Sequence, residues 1–288
     1  MKTTISVIGG DKRIEYLVQM LKQEKFNIKT FGLENSKMIC KEDKCSSIKE
    51  CIENSKIIIS SIPFSKDGEN VFAPYAEKNI TIDELKEYTQ NKILIAGSIK
   101  EETQNKFINT KVYDLMKDES LTIMNAVSTA EGAIQIAMQE TNQTIHNSKV
   151  LVLGFGRIGK VLSKDLLSLG ANVTCETRKK SDIAWIESYG YKSLELNNLE
   201  ENINKYEIIF NTIPYLILNK NILKNVRKDC LIIDLASKPG GTDFGECKKL
   251  GINAKLELAL PGRVAPKTSA KYIKQSIYNI MEGEKWEQ

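Results

Sequence analysis

The chain alternates short apolar runs with stretches of helical periodicity over nearly its whole length. Five apolar runs lie in the first half and six in the second. They are almost continuously apolar, which is typical of strands in a parallel sheet that is buried on both faces. The predicted strands are TISVIGG (3–9), NIKTFGL (27–33), KIIISSIP (56–63), KILIAGS (92–98), KVYDLM (111–116), KVLVL (149–153), ANVTCE (171–176), YKSLEL (191–196), EIIFNTIP (207–214), CLIIDLAS (230–237) and INAKLEL (252–258).

Helical patterns separate these runs, so the chain is predicted to be an α/β protein. We predict two Rossmann-like doubly wound parallel-sheet domains separated by a cleft, over residues 1–128 and 129–266. A helix over 130–139 is predicted to bridge them. By analogy with other two-domain folds, an amphipathic helix within 267–288 is predicted to cross back to the first domain. The helices predicted inside the second domain are 157–169, 181–189, 199–204, 219–226 and 245–250.

Composition narrows the class of protein. The chain has 288 residues, 41% hydrophobic and 27% charged, and its 41 basic and 37 acidic residues are mixed along the sequence, with a net charge of +4. This mixing predicts no basic stripe and no nucleic-acid partner. The amino terminus lacks the pattern of a signal peptide, and no apolar run approaches the ~18 residues of a membrane helix. We therefore predict a cytoplasmic protein with no membrane contact.

Cysteine and histidine usage argues against a metal site. The six cysteines form no CxxC pair, and His146 is the single histidine. We therefore predict no bound metal and free cysteines that pack as small buried hydrophobic residues. His146 is interpreted as a structural loop residue.

The sequence GFGRIG at residues 154–159 predicts a dinucleotide-binding turn. It directly follows an apolar strand and opens a helix, which is the context that the motif requires. The first glycine is expected to make the tight turn, the second to let the backbone approach the pyrophosphate, and the third to allow close packing of helix on strand. The helix N-terminus then offers free N–H groups to a phosphate. The predicted cofactor-binding residues here are Gly154, Phe155, Gly156, Arg157, Ile158 and Gly159.

The end of the following strand predicts which dinucleotide binds. An NAD site places an acidic residue there, about 20 residues after the glycines. Counting from Gly159, this position falls nearer to Thr177 than to Glu176, and Arg178 and Lys179 follow. A 2′-phosphate would repel a carboxylate and is well matched by a guanidinium and an ammonium. We therefore predict NADP bound by Thr177, Arg178 and Lys179, with Glu176 turned away; a solvated helix start is the alternative.

Two further strand ends bear on the cofactor. The fourth strand of the second domain ends in Asn211, Thr212, Ile213 and Pro214, where such domains pass the ribose and nicotinamide, so these four are predicted to bind the cofactor. The first strand of the first domain ends in GGD (9–11) instead of GxGxxG. That domain is therefore predicted to share the topology without the need to hold a dinucleotide.

Longer motifs are specific to one family. The stretches TAEGAIQIAM (129–138), TIHNSKVLVLGFGRIGK (144–160), FNTIPYLIL (210–218), LIIDLASKPGGTDF (231–244) and LALPGRVAPKTSA (258–270) together resemble the A subunit of dipicolinate synthase. VIGGDKRIEYLVQML (7–21) fits the same family, so the resemblance covers essentially the whole chain. GFGRIG is shared with many dehydrogenases, whereas TAEGA, DLASKPGGTDF and LPGRVAPKT in combination are far more specific.

The resemblance implies an NADP-dependent oxidoreductase in the mother cell of a sporulating bacterium, on a branch from lysine biosynthesis. With a partner, the flavoprotein B subunit of dipicolinate synthase, the family oxidises a dihydrodipicolinate-level intermediate to dipicolinate. The step removes a hydride and a proton and forms an aromatic ring, so it demands no elaborate acid–base relay, and no catalytic residue is identified. Association of the chain with copies of itself as a homo-oligomer is left open.

A small dicarboxylate substrate, which the resemblance implies, needs cations and hydrogen-bond donors. The candidates lie at strand ends of both domains and at the start of the predicted bridging helix, where Thr129 is equally interpreted as the helix N-cap. Asp234 lies inside its strand and is interpreted as a residue that fixes the following loop. The candidate substrate contacts are Arg263, Lys267, Lys238, Ser61, Ser98, Thr129 and Glu131.

Two other functions stay open at this point. One is a different NADP-dependent dehydrogenase, of the shikimate- or alanine-dehydrogenase type. The other is a non-catalytic nucleotide-sensing protein, against which the complete first domain and the basic LPGRVAPKT segment argue. The His–Arg pair of simple 2-hydroxyacid dehydrogenases is absent as a motif.

Overall fold

The computed structural model describes residues 3–24 and 26–284, which divide into two compact units. The first unit runs to Met124 and resumes at Ala265, and the second comprises Asn125–Val264. The boundaries predicted from the sequence lie at residues 128 and 266.

The first unit contains a five-stranded parallel sheet with the strand order β2-β1-β3-β4-β5. Its elements are β1 (Thr4–Ile8), α1 (Lys12–Gln23), β2 (Asn27–Phe31), α2 (Ile48–Ile52), β3 (Ile57–Ser60), α3 (Ile82–Glu87), β4 (Ile93–Ala96), α4 (Glu101–Gln104) and β5 (Lys111–Asp114). After β5, the long helix α5 (Glu119–Glu140) runs from the first unit into the second.

Both faces of this sheet are buried, which explains why its strands are continuously apolar. Successive side chains of a strand point to opposite faces. Ile57 and Ile59 accordingly lie in one hydrophobic cluster, and Ile58 lies in another on the opposite face, with all three fully buried.

The second unit contains a six-stranded parallel sheet with the order β11-β10-β9-β6-β7-β8. The chain order reverses between β6 and β9, and ligands of doubly wound sheets bind at the carboxyl ends of the strands beside such a reversal. The elements are β6 (Lys149–Leu153), α6 (Arg157–Ser168), β7 (Asn172–Glu176), α7 (Lys180–Ser188), β8 (Lys192–Leu194), α8 (Leu199–Asn202), β9 (Ile208–Asn211), α9 (Lys220–Leu223), β10 (Leu231–Asp234), α10 (Phe244–Leu250), β11 (Asn253–Leu256) and α11 (Leu260–Val264).

All eleven predicted strands are present, and the predicted fold class is confirmed. Two helices differ from the prediction. The bridging helix begins at Glu119 instead of residue 130, and the Thr129 hydroxyl donates to the Asn125 carbonyl one turn earlier at 2.9 Å. Thr129 is therefore inside the helix, and its predicted role as N-cap is wrong, because a threonine hydroxyl can also bond back to its own helix. Helix α11 lies where the sequence pattern predicts no helix.

The last helix, α12 (Pro266–Gly283), packs on α1 in the first unit. Its Ile273 and Ile277 are buried in the same hydrophobic cluster as Leu17 and Leu21 of α1. The predicted crossing of this amphipathic helix to the first unit is thus observed, because the apolar side chains recur on one helix face.

Two other expectations concern the whole chain. Five of the six cysteines are buried, but Cys40 is exposed, so the prediction of a buried thiol is wrong at that position. Cys40 lies in a segment of little regular structure between β2 and α2, where no apolar periodicity holds its side chain inside.

Within the described residues, no helix has both the length and the apolar character needed to cross a membrane.

We predict that Ile277→Ala destabilises the protein by about 2–5 kcal/mol, because it opens a cavity between α12 and α1. Ile108→Ala in the same unit should have little effect, since Ile108 is 73% exposed whereas Ile277 is fully buried. Urea unfolding of both variants measures the difference. Equal midpoints for the two variants would show that α12 does not stabilise the first unit.

Candidate functional site

The turn between β6 and α6 has the backbone that its glycines predict. Gly154 adopts a φ of +91°, and a Cβ there would lie 2.6 Å from Thr212 Oγ1 and 2.9 Å from Ile213 Cγ1. A Cβ on Gly159 would lie 2.1 Å from the Gly154 carbonyl oxygen. The turn therefore packs against both its own helix and the loop after β9, and the structure brings Gly154, Thr212 and Ile213 together.

The N-terminus of α6 is open. Gly156 is its N-cap residue and provides no side-chain cap, and a Cβ built on Gly156 meets no atom within 4 Å. The first N–H groups of a helix lack partners within the helix and carry the positive end of its dipole. This end of α6 can therefore accept a phosphate group, and it has the space in which the backbone can approach one.

The other residues of the motif divide between core and surface. Phe155 is buried and packs edge-on against Tyr191, with ring centroids 6.4 Å apart, and Ile158 packs against the same hydrophobic cluster. These side chains therefore pack within the second unit and support the turn. Arg157 is exposed in the first turn of α6.

Asn211 joins two strand ends. Its Nδ2 donates to Asp234 Oδ1 at 3.0 Å and to the Ile213 carbonyl at 3.1 Å, and its Oδ1 accepts the Ile213 N–H. Asp234 also accepts the N–H groups of Ala236 and Gly241, at 2.9 and 3.0 Å. Because the Asn211 amide bonds to Ile213 and Asp234 inside the protein, it shapes the loop after β9, in which Pro214 is exposed. Contact of Thr212, Ile213 and Pro214 with a cofactor stays a prediction.

The residues predicted to meet a 2′-phosphate differ from one another in exposure. Thr177 is buried, and its hydroxyl accepts the Lys179 N–H at 3.2 Å and reaches Asp182 at 3.4 Å. That hydroxyl therefore organises the start of α7. Arg178 and Lys179 are exposed, and within the described part of the chain neither side chain forms a hydrogen bond or an ion pair that would hold it away from an anion.

Glu176 is 1% exposed, and neither of its carboxyl oxygens has a hydrogen-bond partner among the described residues. Burial raises the pKa of its carboxyl, against the opposing effects of the Gly154 amide and of Arg178. Its backbone carbonyl accepts the Gly154 N–H at 3.2 Å. The spacing from Gly159 assigns no cofactor contact to Glu176. No local sequence signal indicates that the fold buries it beside the glycine turn.

The substrate candidates of the second unit lie on different elements. Arg263 is exposed and paired with Glu257 at 2.5 Å, whereas Lys238 is exposed in the loop after β10. Glu131 lies with Asp165 in a groove between α5 and the last turns of α6. Since α6 begins at the glycine turn, the structure places Glu131 near the far end of that helix, about 14 Å along it.

In the first unit, the two candidate serines differ. The buried Ser61 donates its hydroxyl to the Phe64 carbonyl at 3.1 Å and so fixes its own loop. Ser98 is exposed, and its N–H donates to Asp114 Oδ1 at 2.8 Å. Lys267 is exposed in the first turn of α12.

In the first unit, side chains of the protein itself occupy the glycine turn. Asp11 caps α1 by accepting the Arg13 N–H at 3.0 Å, and the Arg13 guanidinium pairs with the same carboxylate at 2.8 Å. The Gly10 N–H donates to the Phe72 carbonyl at 2.9 Å. A phosphate at this turn would meet a carboxylate, so the anion site that a Rossmann turn normally offers is occupied by the chain itself.

One group of side chains has the composition of a metal site. Cys40, Glu42 and Asp43 place one potential ligand atom each within 4.8 Å of one another. Asp43 is already paired with Lys22, at 2.5 Å. The sequence predicts no metal at this position.

Two family models match the chain. The N-terminal domain of the dipicolinate synthase A subunit matches residues 4–117, and the NAD-binding domain of D-isomer specific 2-hydroxyacid dehydrogenases matches residues 124–237. The two matches fall on either side of the first unit boundary, near residue 124.

Similar proteins align over nearly the full length. The dipicolinate synthase A subunit of Bacillus subtilis (strain 168) is 30% identical over 282 residues, which are 96% of this chain and 95% of that protein. A crystal structure of the same subunit from Bacillus subtilis has a TM-score of 0.87 at 30% identity and covers 98% of this chain and 97% of its own. The structure of the A subunit from Bacillus halodurans has a TM-score of 0.87 at 27% identity, with 97% of each chain covered. L-alanine dehydrogenase, at 11% identity and a TM-score of 0.66 over 97% of this chain and 89% of its own, shares the fold alone.

We predict that Asp234→Ala destabilises the protein by about 3 kcal/mol, because it leaves two buried N–H groups and the Asn211 amide without their acceptor. Asp229→Ala, at an exposed position just before β10, serves as the matched control and should change stability little. Urea unfolding reports both values. Similar losses for the two variants would mean that the Asp234 bonds do not hold the strand ends together.

Proposed function

Since the chain belongs to the family of dipicolinate synthase A subunits, we propose that it oxidises a dihydrodipicolinate-level intermediate to dipicolinate with NADP as the cofactor. The designation of its relatives as A subunits implies a partner subunit. We propose that this partner is the flavoprotein B subunit of dipicolinate synthase, and that the reaction serves sporulation in the mother cell.

The observation that carries this proposal is the open N-terminus of α6. Gly156 leaves that helix end uncapped and free of side-chain atoms, which fits the pyrophosphate of a dinucleotide. The corresponding turn of the first unit is filled by Asp11 and Arg13. The cofactor is therefore assigned to the second unit, in agreement with the dehydrogenase family model that matches there.

Arg178 and Lys179 support the choice of NADP over NAD. A 2′-phosphate carries about two negative charges, and charge-assisted hydrogen bonds to a guanidinium are the strongest that a protein side chain can offer it. Both cations follow the strand whose end meets the adenosine ribose in this fold. They are the residues to which we assign the 2′-phosphate.

The proposed chemistry makes modest demands on the protein. Bound NADP+ would accept the hydride of the dihydropyridine ring, which would become aromatic as a proton is released to water. The chain must then orient the ring and neutralise its two carboxylates. Lys238 is the first candidate of the second unit, because it is exposed and has no ion pair among the described residues, whereas Arg263 would have to leave Glu257. Ser98 and Lys267 are the accessible candidates of the first unit.

The function is tested by co-purifying the chain with its candidate flavoprotein and measuring NADP-linked formation of dipicolinate. We expect dihydrodipicolinate to be oxidised by the complex, and shikimate, or pyruvate with ammonia, to give no turnover. Turnover of only those other substrates would assign the chain to another dehydrogenase type. Tight binding of NADP+ without oxidation of any substrate, with the flavoprotein present, would favour a nucleotide-sensing role.

We predict that Arg178→Ala weakens the binding of NADP+ by about ten- to hundredfold and that of NAD+ much less, because it removes a charge-assisted bond to the 2′-phosphate. Lys164→Ala, which removes an exposed charge from the middle of α6, is the control and should leave both affinities nearly unchanged. Calorimetric titration with each nucleotide measures the effect. An equal loss of affinity for NADP+ and NAD+ would show that Arg178 does not contact the 2′-phosphate.

A further inference from the structure

Glu176 is an anomaly in an otherwise well-paired sheet. It is 1% exposed, and both of its carboxyl oxygens lack hydrogen-bond partners among the described residues. Most buried polar groups in proteins are hydrogen-bonded, and an ionised carboxylate is especially costly to bury without a partner. A residue of this kind calls for a role beyond packing.

Its position links it to the nucleotide site. Glu176 ends β7, and its carbonyl accepts the N–H of Gly154, the first residue of the glycine turn. It is in register with Leu153 of β6 and Leu194 of β8, and laterally aligned residues of parallel strands point to the same face. The carboxyl therefore lies over the buried face that carries those leucines, next to the turn and one residue before Thr177.

Several charged and titratable side chains lie on the elements around Glu176. Arg178 is the charged group that acts on it, and together with the Gly154 amide it opposes the rise in the pKa that burial causes. The neighbouring elements also carry charged or titratable side chains. They include Arg157 and Lys160 on α6, Lys179 and Asp182 at the start of α7, Glu195 after β8, Glu200 and Glu201 on α8, and Tyr206 in the hydrophobic cluster of the same face.

We propose that Glu176 is a proton-dependent selector between the two dinucleotides: its neutral form admits the 2′-phosphate of NADP, and its ionised form repels that phosphate and tolerates the 2′-hydroxyl of NAD. This inference rests on the proposed nucleotide site. It explains why a carboxyl can sit one residue before Thr177 and two before Arg178 in a site for a dianionic ligand, since like charges at close range destabilise each other.

The direction of the pH effect separates Glu176 from the cofactor itself. The second ionisation of a phosphate monoester has a pKa of about 6, and a dianion binds cations better, so this ionisation strengthens NADP binding as the pH rises. Ionisation of Glu176 does the reverse. The ratio of dissociation constants for the native protein and Glu176→Gln cancels the titration of the cofactor and isolates that of Glu176.

The test measures binding of NADP+ and NAD+ by calorimetry from about pH 5 to about pH 8.5. At the acidic end, the native protein and Glu176→Gln should bind NADP+ equally. At the alkaline end, the native protein should bind it about tenfold more weakly than Glu176→Gln, the change that one pKa unit of coupling produces. Binding of NAD+ should not improve in Glu176→Gln. Glu195→Gln removes a nearby exposed carboxylate and should give a ratio that is constant with pH.

Proton counts supply a second readout. At about pH 8, where the 2′-phosphate is a dianion both free and bound, titrations in buffers of different ionisation enthalpy should show that the native protein takes up more protons with NADP+ than with NAD+, and that Glu176→Gln loses this difference. Should Glu176→Gln not fold, the proton count of the native protein decides alone, and equal counts for the two nucleotides overturn the proposal. A ratio that is constant with pH overturns the selector but not the nucleotide site. Failure of the native protein to bind either nucleotide overturns both.

Discussion

The close packing of α6 against the turn before it is the constraint on which the second unit depends. A Cβ on Gly159 would lie 2.1 Å from the Gly154 carbonyl oxygen, so the helix can approach β6 this closely only because residue 159 lacks a side chain. This approach directs the unpaired N–H groups of α6 to the carboxyl edge of the sheet. It also brings Gly154 against Thr212 and next to the carbonyl of Glu176, so three strand ends meet at one turn.

The two units differ in whether the glycine turn after a central strand is open to an anion or occupied by side chains of the protein itself. Both are parallel sheets with a glycine turn after a central strand, but the helix that follows is capped by Asp11 in the first unit and left uncapped at Gly156 in the second. The carboxylate of Asp11 accepts the Arg13 N–H, one of the groups that a phosphate would bind, and the Arg13 guanidinium neutralises it. The N-cap residue, more than the topology, therefore decides which sheet can bind an anion.

Features that depend on local sequence patterns could be predicted, whereas features that depend on contacts between distant parts of the chain could not. The strands and the glycine turn were predictable because burial on both faces demands continuous apolar runs, and because the turn needs glycines at fixed spacing. The start of α5 was not, since Thr129 looks like an N-cap until its hydroxyl is seen to bond within the helix. Asn211 was assigned to the cofactor because strand ends in this fold usually contact it. Its bonds to Asp234 depend on the pairing of β9 with β10, which local sequence does not encode.

The burial of Glu176 also could not be predicted from local sequence, and it has a cost in stability that depends on pH. Its pKa in the folded protein is raised above the unfolded value, so below the unfolded pKa both states are protonated and folding incurs no penalty. As the pH rises, the unfolded chain ionises first and the folded state loses relative stability. A leucine would pack with Leu153 and Leu194 without this cost, so stability alone does not account for an acid at this position. Positions where local preference and the fold disagree are those at which a function is expected, and this one adjoins the turn that α6 leaves open.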